Sequence, residues 1–144
     1  MAVDLAFKRA EQGDYAEVSA ILAQSWRWAY RGILEQGFLD SIKDDRWVEF
    51  LQKTEGLTVI MLTVDGQPAG ASVYRRSANS DFTADGEVVC LYLLPEHAGK
   101  GLGRALLLHV EELLAAVYGE KGDESRTTVV SGSLVIRKSV KNCD

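Results

Sequence analysis

Residues Leu91 to Leu108 run Leu-Tyr-Leu-Leu-Pro-Glu-His-Ala-Gly-Lys-Gly-Leu-Gly-Arg-Ala-Leu-Leu-Leu, so an apolar strand passes through three closely spaced glycines straight into a helix with an apolar face. The first turn of a helix leaves backbone N–H groups without partners and carries the positive end of the macrodipole, so a bare glycine backbone there can wrap a polyanion. Gly99, Gly101 and Gly103 remove the side chains that would hold phosphate oxygens away, and Lys100 and Arg104 add charge. The competing reading is that Gly and Pro merely punctuate a strand-to-helix junction.

Spacing narrows the ligand. A dinucleotide fingerprint needs G-x-G-x-x-G, but counting from Gly99 puts Arg104 at the last glycine, and counting from Gly101 puts Leu106 there. The triphosphate loop G-x-x-x-x-G-K-[ST] is absent as well. What remains, Gly-Lys-Gly-Leu-Gly-Arg, resembles motif A of the GNAT superfamily of N-acetyltransferases, [Q/R]-x-x-G-x-[G/A], with Gly101 and Gly103 as its two glycines. Leu91-Tyr92-Leu93-Leu94-Pro95 matches that family's strand lead-in, and the Gln or Arg of the motif falls on Ala98, which offers only its backbone N–H. The resemblance implies acetyl-CoA as acyl donor, its pyrophosphate held by Ala98, Gly99, Lys100, Gly101, Leu102, Gly103 and Arg104. It also implies a pantetheine arm paired with the backbone of Leu91 and Leu93, where an N–H near Leu93 polarises the thioester oxygen.

Composition removes other classes. At 144 residues, about half of them apolar, the chain is read as one domain, 1–144, large enough to bury a core. A net charge of −5 argues against a nucleic-acid binder and suits a cationic amine acceptor. Cys90 and Cys143 make neither a disulfide framework nor a metal spacing, and His97 and His109 stand apart from any ligand cluster. With no signal peptide and no membrane-spanning run, the expectation is a cytoplasmic protein without a metal or membrane partner.

The periodicities read as α/β (α+β), a mixed, mainly antiparallel sheet flanked by helices. Val3, Leu5 and Phe7 alternate as a strand; Asp14 and Glu17 form a capping-box pattern before a helix bearing Val18, Ile21, Leu22, Ser25, Trp26 and Ala29. A second helix is expected from Ile42 to Leu51, presenting Trp47, Phe50 and Leu51 together. A hairpin follows, Leu57 to Val64 and Ala69 to Arg75 about an Asp65-Gly66 turn, then a loop over 76–86, a strand from Glu87 to Leu94 buried on both faces, and a helix from Leu102 to about Tyr118. This order is similar to the GNAT layout from its first strand to its third helix.

The resemblance also covers Trp26, Ala29, Tyr30, Arg31, Gly32, Ile33 and Leu34, which look like a W-x-x-A-Y-x-G-I-L stretch of bacterial members. It implies acceptor contacts by Trp28, Tyr30 and Arg31; the plain alternative is that aromatic residues on an amphipathic helix are core. An alkylammonium, with a pKa of about 10.4, must lose a proton before it attacks. Glu87, opening the strand implied to carry the donor, is the candidate general base, with a solvated strand-end charge as the alternative. The family's general acid, a Tyr in a later helix, finds no counterpart: Tyr118 would lie roughly 25 Å up a regular helix from Leu102.

Residues 125–144 have no aromatic residue and carry four cations against one carboxylate. Twenty residues are too few for the strand, helix and two strands of the family, which need more than about 30, so the C-terminal part is expected to be truncated or altered. Thr127 to Arg137 would form an edge with apolar Val129, Val130, Leu134 and Ile136, and a homodimer is expected to bury it. The reading is an acetyl-CoA-dependent N-acetyltransferase acting on a primary amine of a small molecule or peptide by direct attack; the alternative is a non-catalytic acyl-CoA-binding or regulatory module.

Overall fold

The computed structural model describes residues 3–76 and 86–118. Four strands, β1 (Leu5–Arg9), β2 (Thr58–Val64), β3 (Gln67–Arg76) and β4 (Gly86–Leu93), form an antiparallel sheet in the order β1-β2-β3-β4. Helices α1 (Tyr15–Ala29), α2 (Gln36–Asp40) and α3 (Val48–Lys53) precede β2, and α4 (Leu102–Tyr118) follows β4.

Successive strand residues face opposite ways, and both faces are covered. Val59, Met61, Ala71 and Val73 pack with Val18, Ile21 and Leu22 of α1 and Leu51 of α3. Ile60, Leu62 and Tyr74 pack with Leu102, Leu106 and Val110 of α4 on the other side. Central strands sandwiched by helices must be apolar throughout, which is why β2 and β3 show so little alternation. Their hairpin closes through Asp65 and Gly66, with φ of 52° and 83°, the left-handed pair that matches the twist of the flanking strands.

Several expectations are corrected. Asp14 does not cap α1 with its side chain: its carboxylate turns back to accept the Glu11 N–H at 2.9 Å and the Lys8 ammonium at 3.2 Å. The single helix from Ile42 to Leu51 is instead two short ones, Gln36–Asp40 and Val48–Lys53, around a stretch of turns. That stretch has partners outside a helical ladder. Ser19 Oγ donates to the Asp44 carbonyl at 2.7 Å and accepts the Trp47 N–H at 2.9 Å, while Arg27 donates to the Ile42 carbonyl at 2.5 Å and pairs with Asp44 at 2.9 Å. Phe50 faces solvent rather than joining Trp47 and Leu51. β4 is half-buried along its whole length instead of being buried on both faces, because among the described residues only β3 flanks it. Of the loop over 76–86, residues 77–85 lie outside the described residues, as do 119–144, and with them the Thr127–Arg137 strand on which the homodimer expectation rests.

Candidate functional site

The glycine turn leads from a single 3₁₀ turn at Pro95–His97 into α4. Gly99 and Gly101 have φ of 78° and 83°, values at which any other residue is strained, and a Cβ on either would meet nothing within 4 Å. Both therefore open their backbone to one side. The first helical bond of α4 runs from the Ala105 N–H to the Gly101 carbonyl, so the six consecutive N–H groups from Gly99 to Arg104 meet no backbone acceptor among the described residues. Lys100 and Arg104 are exposed beside them. Alternating left-handed residues at a helix start concentrate N–H groups into a concave anion site.

Two of the expected phosphate contacts change character. The Ala98 N–H, counted as a free donor, already donates to the Pro95 carbonyl at 3.2 Å, because Ala98 closes the 3₁₀ turn. Gly103 has an ordinary helical backbone, and a Cβ there would touch Leu93 Cδ1 at 3.5 Å. That is ordinary van der Waals contact, so a side chain would fit there. Gly70, on the other side of Leu93, is the crowded position, since a Cβ on it would lie 2.6 Å from Leu93 Cδ2 and 2.7 Å from the Tyr92 carbonyl oxygen. Leu93 is thus seated between two glycines, one in β3 and one in α4. Glycine inside a strand is the sequence signal for such a close approach, and Gly70 carries it inside β3.

β4 presents its own polar edge. Leu94 N–H donates to the Ala69 carbonyl at 2.8 Å, and antiparallel ladders alternate, so Tyr92 also bonds toward β3 while the N–H and C=O of Leu91 and Leu93 point away from it. Ser25 of α1, fully buried, donates its hydroxyl to the outward Leu93 carbonyl at 2.8 Å. The Leu91 groups and the Leu93 N–H have no partner strand among the described residues. Register slips by one residue at Val89, since Val73 pairs with Cys90 but Tyr74 with Val88, and this bulge bends the strand just before that edge.

Glu87 stands opposite Arg75 and on the same face as Val73 and α1. Arg75 Nε and Nη2 approach it at 3.2 and 3.1 Å, both at Oε2. Oε1 remains the oxygen able to take a proton. Burial pushes the Cys90 thiol up to about 12, against a weaker opposing hydrogen bond from the Val73 backbone, so this free cysteine is no nucleophile.

The acceptor candidates separate into two groups. Tyr30 comes to β4: its hydroxyl lies 3.3 Å from that of Tyr92, and its ring packs 4.6 Å from Trp26, which in turn lies 5.6 Å from Trp47. Trp28 and Arg31 instead engage each other, the guanidinium 4.6 Å over the indole ring and bonded to the Trp28 carbonyl. Neither makes a hydrogen bond or ring contact to β4 among the described residues. Tyr92 and Trp26, which no sequence motif marks as acceptor contacts, complete the group around Tyr30. Burial holds the Tyr92 phenol far above its ordinary value; its hydrogen bond to Tyr30 acts in the same direction, and the Trp26 indole N–H pulls weakly the other way.

The sequence matches the Acetyltransferase (GNAT) family over residues 20–122. It is 27% identical over 113 residues to the uncharacterized N-acetyltransferase YuaI of Bacillus subtilis, covering 74% of this chain and 62% of that protein. It is 26% identical over 109 residues to the spermidine N(1)-acetyltransferase of Thermoplasma acidophilum, covering 70% and 65%. The chain therefore spans somewhat less than two thirds of the length of these curated relatives. Among solved structures, the PaiA N-acetyltransferase of Thermoplasma acidophilum in complex with coenzyme A superposes with a TM-score of 0.62 at 23% identity, over 81% of this chain and 74% of that one, so the fold is shared. With the family matched across most of its length, from within α1 to beyond α4, the chain belongs to the GNAT family of acetyltransferases.

Proposed function

We propose that the protein is an acetyl-CoA-dependent N-acetyltransferase that moves an acetyl group to a primary amine by direct attack. The observation that carries this reading is the row of six N–H groups from Gly99 to Arg104, set beside a strand edge whose Leu91 and Leu93 backbone groups lack a partner strand among the described residues. Lys100 and Arg104 supply the charge for a pyrophosphate, Leu91 the pairing groups for an extended arm, and the Leu93 N–H the donor for a thioester oxygen. Glu87, through Oε1, takes the proton of the amine directly or through water, while Arg75 fixes the carboxylate from the other oxygen. Tyr30 lines the acceptor side, with Trp28 and Arg31, which bracket it in the chain, as a second unit. A polyamine acceptor is supported by the spermidine-acetylating relative and by the net charge of −5. A cytoplasmic setting belongs to the same proposal and is supported by the free thiol of Cys90. No helix among the described residues is long and apolar enough to cross a membrane.

The test is release of free thiol from acetyl-CoA in the presence of spermidine and of a peptide with a free amine. Glu87→Gln should lower the rate by about 10²-fold and leave CoA affinity, measured by calorimetry, nearly unchanged. Binding of NADH but not CoA would overturn the site assignment. CoA binding with no thiol release from either amine would favour the non-catalytic acyl-CoA module instead.

A further inference from the structure

We propose that Ser72 is a positioning residue for the acyl donor: its hydroxyl holds the Cys90–Leu91 peptide so that the Leu91 N–H faces the donor's pantetheine arm. The inference rests on the acetyltransferase reading and adds to it a residue that no motif marks, one strand back from the site.

A hydroxyl is out of place where Ser72 stands. β3 is a central strand, its residues Ala71 and Val73 are fully buried, and Ser72 is fully buried between them. A polar group there costs stability unless it is bonded, and alanine would occupy the position without that risk. Among the described residues three polar side chains are buried this completely: Ser19, Ser25 and Ser72. Ser19 is taken by the turns between α2 and α3. The other two both end on carbonyls of β4, Ser25 on Leu93 and Ser72 on Cys90, and so bracket the edge that offers the Leu91 groups and the Leu93 N–H.

The Ser72 bond, 2.9 Å long, fixes a direction. A peptide unit is planar, and no peptide among the described residues is cis, so the C=O and N–H of each unit point opposite ways. The Cys90 carbonyl is turned toward β3, where it accepts the Ser72 hydroxyl; the N–H of the same unit is that of Leu91 and is thereby turned toward the open edge. The Leu93–Leu94 unit is the reverse case. Its carbonyl takes the Ser25 hydroxyl and its N–H donates to Ala69 in β3, so Ser25 aims no N–H at the edge.

The unit that Ser72 holds is also the one that needs holding. It follows the bulge at Val89, where pairing slips from Val73–Cys90 to Tyr74–Val88. A bulge interrupts the ladder, so the first peptide after it has regular pairing on one side only, and a side-chain bond supplies the missing support. A hydrogen bond accepted by the C=O also polarises its amide and strengthens the N–H as a donor. An arm laid along β4 as an added strand then meets a Leu91 N–H that is already oriented.

The test measures CoA and ADP binding by calorimetry in wild type, Ser72→Ala, Ser72→Cys and Val59→Ala; ADP carries a pyrophosphate and no arm. Ser72→Ala should weaken CoA binding about three- to tenfold, the worth of one hydrogen bond, and leave ADP binding unchanged. Ser72→Cys, a weak donor of similar size, should fall between. Val59→Ala opens a cavity in the same sheet without removing a bond to β4, and it should leave both affinities unchanged. In wild type, CoA should slow hydrogen exchange at the Leu91 amide and ADP should not. Unchanged CoA affinity in Ser72→Ala, or an equal loss for CoA and ADP, would overturn the inference, as would a Leu91 amide that exchanges as fast with CoA as with ADP. That last measurement needs no variant and decides the matter even where Ser72→Ala does not fold. A wild-type chain that binds neither ligand would overturn the acetyltransferase reading itself.

Discussion

Beside the proposed site β3 leaves no room for a side chain at Gly70, and one methyl group tests it. In Gly70→Ala the new Cβ would stand 2.6 Å from Leu93 Cδ2 and 2.7 Å from the Tyr92 carbonyl oxygen, both inside the 3.0 Å that real Cβ atoms essentially never breach. Leu93 can rotate away; the carbonyl moves only with the strand. Overpacking of this kind costs about 1–3 kcal/mol, and a backbone obstacle puts the cost in the upper half of that range. The lower unfolded-state entropy of alanine offsets about 0.4–1 kcal/mol, which leaves a net loss of roughly 1–2.5 kcal/mol. For a domain of this size that is a fall in Tm of about 3–8 °C. Urea unfolding read by tryptophan fluorescence gives the same quantity as a lower midpoint at constant slope. Gly13→Ala is the control, since its Cβ would meet nothing within 4 Å and it should be neutral or mildly stabilising. CoA affinity should fall in Gly70→Ala as well, because the displaced residues are those that precede the glycine turn. A Gly70→Ala protein with the wild-type midpoint and slope would mean that the two strands do not approach this closely and that Leu93 is not held by them.

Two further outcomes follow from the geometry. Gly101→Ala meets no atom but holds a side-chain-bearing residue at φ 83°, at a cost of about 1–2 kcal/mol, so CoA affinity by calorimetry should drop about tenfold, whereas Gly103→Ala, whose Cβ packs on Leu93, should stay within a few-fold; equal losses in both would refute the separate roles given to the two glycines. The Glu11 N–H first and Lys8 second hold the Asp14 carboxyl below its ordinary 3.8. A pKa depressed in the folded state stabilises above the unfolded value and is lost as pH falls through the folded one, so the stability difference between wild type and Asp14→Asn should be flat above about pH 5 and shrink below about pH 4, and a difference that persists unchanged into strong acid would refute it.

Which of these features could be read in advance depends on how far apart in the chain their causes lie. The glycine turn, the Asp65-Gly66 hairpin and the bounds of α4 are decided by neighbouring residues: φ values only glycine reaches freely, a turn that fits strand twist, an uninterrupted apolar stripe. The Asp14 misassignment is also local but degenerate, because Glu11, Asp14 and Glu17 repeat one spacing and either pair satisfies a capping pattern. The turns between α2 and α3 are a different case. Their partners Ser19 and Arg27 sit 15 to 28 residues away in α1, so no window of local periodicity contains the reason they are not helical. The proposed site belongs mostly to this second kind. Ser25 meets Leu93 across 68 residues and Tyr30 meets Tyr92 across 62, and both contacts leave from the helix that also anchors those turns. α1 is therefore held by Ser19 and Arg27 on the side where Tyr30 packs with Ile42 and Trp47, and it delivers Ser25 to β4 from another side. A substitution such as Ser19→Ala, which touches no expected ligand, removes two hydrogen bonds from that anchor. Its effect should reach the proposed site by shifting Tyr30 relative to the edge of β4, while the N–H groups of Gly99 to Arg104, set by their own backbone, keep their geometry.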